Sequence, residues 1–129
     1  YAAWSKDPDD LNKSSSGGIA AVLTRAILNS GGCVFGAASL ERETKHICVT
    51  TIDEAEKLRG SKYVQSNIGF IYRQVKEKLE KEIKVLFIGT PCQVAGLNSY
   101  LRKKYKNLLT VDLICHGVVP HKYLQEYFR

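Results

Sequence analysis

The 129-residue chain has no methionine, no Cys-x-x-Cys pair among its four cysteines and no long apolar run. Each absence removes a class of reading. Without paired cysteines or mixed Cys/His spacing there is no zinc-finger or zinc-ribbon site. The amino terminus is not a secretory leader, so a disulfide framework is not expected. Cys33, Cys48, Cys92 and Cys115 are expected to serve as thiols, cluster ligands or redox groups. No apolar stretch approaches the roughly 18 residues that cross a bilayer, which points to a cytoplasmic protein without a membrane span. Neither a Walker loop nor a G-x-G-x-x-G turn is present, and there is no internal repeat, low-complexity tract or interdomain linker. Tyr1-Ala-Ala-Trp4 lacks an initiator methionine and reads as an apolar strand, so the chain is expected to be cut from a longer polypeptide.

What is present suits one soluble globular domain. A hydrophobic content of 44% with 25% charged residues is ordinary for that class. A chain this size buries roughly two-thirds of its unfolded surface. The net charge of +6 raises nucleic-acid binding, because counterion release rewards clustered cations. The cations fall on helices, however. Arg73, Lys76, Lys78, Lys81 and Lys84 are interleaved with Glu77, Glu80 and Glu82, the pattern of a solvated face. Neither DNA nor RNA is expected as a partner. An anionic cofactor or an acidic protein accounts for the charge as well.

Periodicity gives the elements. Residues 5–16 are polar and turn-rich and read as a loop. Ile19, Ala20, Leu23, Ala26 and Ile27 recur at helical spacing, with Ser16 as the expected cap and Gly31-Gly32 as the stop. Cys33 to Leu40 and His46 to Thr50 read as a hairpin, Asp53 to Leu58 as a short helix, and Asn67 to Glu82 as a long amphipathic helix. Lys84 to Gly89, Pro91 to Lys104 and Leu108 to Cys115 form a strand, helix and strand, hence a βαβ unit with parallel strands. Pro120 to Phe128 opens a further helix. The expected fold class is α/β: a single domain spanning residues 1–129, with a mixed sheet, parallel in its C-terminal half, and helices packed on it.

Four places could carry chemistry. In Thr90-Pro91-Cys92-Gln93, Thr90 is a good N-cap and Pro91 is preorganised for the first turn. Cys92 then stands where the helix dipole and free N–H groups favour a thiolate, past the carboxyl end of a parallel strand. A packed, inert thiol is the alternative. A cysteine-based phosphatase loop would need arginine at position 98, which is Asn98. Cys115-His116-Gly117 ends the next strand. If the two strands are neighbours, about 4.8 Å apart, Cys92 and Cys115 emerge at one edge of the sheet. There they could be metal ligands, anchoring part of an iron–sulfur cluster, or could cycle as a dithiol. Ser14-Ser15-Ser16-Gly17-Gly18 before a helix suits an anion, or is merely a capped turn. In Gly60-Ser61-Lys62-Tyr63, Lys62 could neutralise a phosphate and Tyr63 could stack on a ring, or the stretch is an ordinary loop. Cys33 and Cys48 read as core residues, and His46 and His121 as surface positions without a partner.

Ser14–Gly18, Gly60–Ser66, Gly89-Thr-Pro-Cys-Gln93 and Val111-Asp-Leu-Ile-Cys-His-Gly117, in this order and at these intervals, resemble the family of β-subunits of coenzyme F420 hydrogenase/dehydrogenase. Gly-Thr-Pro-Cys-Gln is the most specific of them. The likeness leans toward bacterial members associated with polysaccharide biosynthesis. It implies an oxidoreductase that holds FAD and 4Fe-4S clusters and transfers electrons between them. Cys92, with Cys115, would be a cluster ligand or redox cysteine. Ser15, Ser16, Gly17, Gly18, Gly60, Ser61, Lys62, Tyr63, Thr90, Gln93 and His116 would line the flavin or substrate site. The family's ferredoxin-like cysteine clusters are missing from this stretch. The implied partners are therefore the rest of the polypeptide, including a ferredoxin-like domain, and a redox partner protein. Two other readings stay open: a non-catalytic binding or assembly module in exopolysaccharide biosynthesis, and a thiol–disulfide protein using Cys92 and Cys115.

Overall fold

The computed structural model describes residues 1–41 and 43–127. In chain order the elements are α1 (Pro8–Asn12), α2 (Ile19–Asn29), β1 (Cys33–Leu40), β2 (Glu43–Val49), α3 (Ile52–Ala55) running into a 3-10 turn (Glu56–Leu58), α4 (Ile71–Glu80), β3 (Val85–Gly89), α5 (Pro91–Leu101), β4 (Leu108–Asp112) and α6 (His121–Tyr127). The expected helix end at Phe128 and the surface reading of the His121 side chain fall outside what is described.

The strands join in the order β2-β1-β3-β4. β1 pairs with β2 antiparallel and with β3 parallel, and β3 pairs with β4 parallel, so the sheet is mixed as the sequence suggests. The period of two along each strand sorts the core into two layers. Cys33, Phe35, Val85 and Phe87 pack with Val75 and Leu79 of α4 and Leu97 and Leu101 of α5. Val34, Val49 and Leu86 pack with Leu28 of α2 and, at the rim, Leu58. Helices thus cover both faces, and β3 is apolar throughout because neither face meets water. Burying Phe87 and Leu86 contributes about 2 kcal/mol each.

Several boundaries differ from the periodicity, each for a local reason. The polar loop before α2 contains α1, which Asp7 caps through the Asp9 N–H and Pro8 opens. Ser16 does not cap α2. Its N-cap is Gly18, and among the described residues no side chain bonds there. α4 starts at Ile71 rather than Asn67, because Asn67 donates to Thr44 and accepts from His46 beside β2. α5 stops at Leu101, where Arg102 turns left-handed at φ 57°. β4 ends at Asp112, leaving Cys115 in the segment that follows.

At the amino ends of β3 and β4, Asn107 donates to the carbonyls of Leu79 (3.1 Å) and Ile83 (2.8 Å). Its bonds clamp the turn carrying Lys81 and Lys84 against the turn carrying Arg102, Lys103, Lys104 and Lys106, and all six cations are exposed.

Candidate functional site

At the opposite end, beyond the carboxyl ends of β1, β3 and β4, the surface opens into a cleft of about 700 Å³. Open α/β sheets place ligands at this end, and the size is that of a small-molecule or cofactor pocket.

The walls come from stretches far apart in sequence, joined by direct bonds. The Ser61 N–H donates to Ser15 Oγ at 2.9 Å, tying the Gly60–Ser66 loop to the serine–glycine loop. Val64 forms a parallel bridge to Val119, tying the same loop to the segment after β4. Gln93 Nε2 donates to Ser66 Oγ at 2.8 Å, tying it to the mouth of α5. Gln93 Oε1 also accepts from the Thr90 N–H at 3.0 Å, half of a capping box whose other half is the Thr90 side chain.

Behind these walls lie two buried polar centres. His46 is only 4% exposed, so the reading of it as a partnerless surface residue is corrected. Its Nδ1 lies 2.7 Å from Ser66 Oγ, its Nε2 lies 2.9 Å from the Ile88 carbonyl, and its ring stacks on Phe87 at 5.2 Å. A carbonyl only accepts, so Nε2 carries the proton and Nδ1 accepts from Ser66. Burial holds the imidazole below its ordinary pKa, in the neutral form. The second centre is Asp10, fully buried, whose carboxylate accepts from Ser5 at 2.9 Å, from Arg59 at 3.2 Å and from Arg25. Burial alone would raise its pKa, but the bonds from Arg25, Ser5 and Arg59 outweigh it and hold the carboxyl below its usual value. Arg59 Nη1 is buried without a partner among the described residues. Arg25 and Arg59 both line the cleft.

The residues singled out from the sequence have distinct placements. Ser15, Ser16, Gly17 and Gly18 line one wall, and Gly60, Ser61, Lys62 and Tyr63 another. Thr90 and Gln93, then Cys115 and His116, complete the lining. Tyr63 is 78% exposed, its ring open to a ligand. The Lys62 ammonium is half-buried and donates to the carbonyls of Leu58, Arg59 and Gly60. All three of its donors are thus engaged, and it closes the 3-10 turn while contributing its charge to the wall. Burial lowers its pKa. Cys92 is exposed in the first turn of α5, 3.1 Å from Thr90 Oγ1, but does not itself line the cleft. Cys115 is exposed and does. β3 and β4 are indeed neighbours, with Gly89 opposite Asp112. Cys33 and Cys48 face the α4–α5 layer. A hydrogen bond that the Cys33 thiol donates to Cys48, reinforced by burial, raises Cys33 far above an ordinary thiol, so it stays protonated.

His46, Ser66, Asp10, Arg25 and Arg59 escaped sequence reading. His46 had a signal: it shares strand parity with Cys48, which is two residues away, and so faces the core side of β2. Asp10 had none, because its two arginine partners are 15 and 49 residues away.

The donor set limits what the site can hold. Among the described residues no group of three or more His, Cys, Asp and Glu could hold a metal ion. Cys92 and Cys115 make at most half of the four-thiolate set of an iron–sulfur cluster. The cleft does suit a nucleotide-sized organic cofactor. Gly60 stands at φ 79° with no atom of the described residues within 4 Å of where a Cβ would project, so backbone can approach a ligand there.

Comparison with known proteins gives consistent likenesses. Residues 1–70 match the family model for the N-terminal part of the coenzyme F420 hydrogenase/dehydrogenase beta subunit, and residues 83–129 match the model for its C terminus. The chain is 27% identical over 139 aligned positions to the F subunit of the F(420)H(2) dehydrogenase of Methanosarcina mazei. All of the chain aligns, over 38% of that protein's length. Its fold matches a chain of the F420-reducing NiFe hydrogenase complex from Methanosarcina barkeri at a TM-score of 0.73 and 22% identity, covering 98% of this chain and 48% of that one.

Proposed function

Because the chain belongs to the family of coenzyme F420 hydrogenase/dehydrogenase β-subunits, we propose that it forms the flavin-holding part of an oxidoreductase, transferring electrons between an iron–sulfur cluster and FAD toward a substrate. The observation that carries this reading is convergence. Four stretches separated along the chain are bonded to one another around a single cleft of cofactor size.

Bound flavin would supply the one- and two-electron chemistry, and the protein its binding and electrostatics. Ser15, Ser16 and Gly18, before the uncapped start of α2, offer hydroxyls and N–H groups to an anionic phosphate. Gly60 leaves room for it, Tyr63 offers a ring face, and the cations of Lys62, Arg25 and Arg59 favour negative charge in the cleft. His46, Ser66 and Gln93 hold the walls apart at a fixed distance. Cys92 and Cys115 are proposed as cluster ligands. The remaining thiolates would come from other parts of the full polypeptide, including a ferredoxin-like domain. The electrons would be exchanged with a separate redox protein. Free thiols at Cys92 and Cys115 suit a reducing compartment, the cytoplasm. Among the described residues no helix is long and apolar enough to cross a membrane.

An anaerobic ultraviolet–visible spectrum of the full-length protein, with flavin and iron quantified, tests the proposal. Flavin absorption with bound iron is expected. A protein that stays colourless after FAD addition and cluster reconstitution would refute it.

A further inference from the structure

We infer that His46 is a positioning residue that fixes two walls of the cleft, the Gly60–Ser66 loop and the mouth of α5, in one geometry. Its functional meaning rests on the flavin-site reading above, whereas the bonding it invokes does not.

The bonds run in one direction. The Nε2–H of His46 donates to the Ile88 carbonyl at 2.9 Å, which fixes the tautomer and leaves Nδ1 an acceptor. The Ser66 hydroxyl donates to Nδ1 at 2.7 Å and is thereby turned to accept from Gln93 Nε2 at 2.8 Å. The amide of Gln93, with its nitrogen so placed, turns Oε1 to the Thr90 N–H at 3.0 Å. Every donor in the series meets an acceptor, and His46, Ser66 and Gln93 are each at most 6% exposed. Such a buried series tolerates one arrangement, since reversing any member leaves two donors or two acceptors opposed. Ser66 ends the loop that carries Lys62 and Tyr63, and Thr90 begins the turn that carries Cys92. The imidazole therefore sets where the two meet.

The surroundings of His46 are neutral. Ala37 pairs with it from β1, Phe87 and the Ile88 carbonyl face it from β3, and Ser66 and Gln93 face it from the loop and α5. The titratable groups at hand are Lys45 and Cys48 on its own strand. Further along are Tyr72, which leans on Phe87 and donates to the Gln93 carbonyl, and Cys92 beside Thr90.

The test is amide hydrogen exchange in the full-length protein, read by mass spectrometry with residue-level fragmentation. His46→Leu is expected to speed exchange at the Thr90 N–H about tenfold, the scale of one lost hydrogen bond, while Phe87 and other β3 amides stay protected. His46→Asn, whose Oδ1 can take the place of Nδ1, recovers part of the protection. Ser66→Ala reproduces the loss, and combining it with His46→Leu adds nothing further. Unchanged exchange at Thr90 in Ser66→Ala overturns the inference even if His46→Leu fails to fold. So does a rise that all amides share. FAD affinity of the same variants, followed by flavin fluorescence, bears separately on the reading of the cleft.

Discussion

The hydroxyl of Tyr72 on α4 donates to the main-chain carbonyl of Gln93 on α5 at 2.8 Å, in space left free by Gly96. A Cβ at position 96 would lie 2.7 Å from that hydroxyl. Alanine would gain about 1 kcal/mol of helix propensity there, but displacing Tyr72 and its hydrogen bond costs about 2 kcal/mol or more. Gly96→Ala is therefore expected to lower the urea midpoint, and in a Tyr72→Phe background, where the hydroxyl is gone, to leave it level or raise it.

Asp10 joins α1 to α2 and to the turn before Gly60 through Arg25 and Arg59. Asp10→Asn removes the one buried carboxylate that Arg25 and Arg59 share, leaving them Asp7 and Glu56 at the surface, and a melting temperature lower by several degrees is expected, well beyond the effect of Asp7→Asn. The carboxyl is held below its ordinary pKa, so the folded protein keeps the charged form more readily than the unfolded chain. That contribution is present above about pH 3.9 and is lost as the pH falls through the folded value. Acid unfolding of Asp10→Asn should accordingly be less steep.

His46 also holds a proton less tightly in the folded state, but the form favoured is the neutral one. Burial depresses its folded pKa, so below about pH 6.5 the unfolded chain takes up a proton that the folded protein does not. Its stabilising effect is complete above that pH and shrinks as the pH drops through the window between the unfolded and folded values. Denaturant midpoints measured from neutrality down to about pH 5 should fall in the wild type and fall less in His46→Gln.

At Gly60 the backbone is left-handed, with open space where a side chain would start. Gly60→Ala should cost only about 1 kcal/mol of stability. Its methyl group projects where a ligand would approach, so FAD affinity is expected to drop by about tenfold, an effect of roughly 1.4 kcal/mol. Isothermal titration with FAD separates the two effects.

Cys92 stands outside the lining of the cleft although its neighbours Thr90 and Gln93 lie within it. Cys92→Ser in the full-length protein is thus expected to reduce iron content and leave flavin content near that of the wild type. Equal iron in both proteins would remove Cys92 from the ligand set.

The βαβ half was readable because β3, α5 and β4 each follow one period, and Thr90-Pro91 announces a helix start in any context. The hairpin was readable for the same reason. The start of α4 was not, since Asn67 is helical in pattern but bonded to β2, and tertiary pairing overrode the local preference. The lining of the cleft followed from glycines, hydroxyls and a ring set beside strand ends. Its support did not. His46, Ser66 and Gln93 are joined across 20 and 27 residues, and no short window of sequence contains such a contact. Lys62 shows the remaining gap: its type was informative, but three backbone carbonyls had already claimed its hydrogens.

Asn107 adds a directional consequence. By pinning the turns of Lys81 and Arg102 together at the amino ends of β3 and β4, it gathers cations at the far pole from the cleft. An acidic surface drawn to that pole would meet the molecule from behind, at the end away from the cleft.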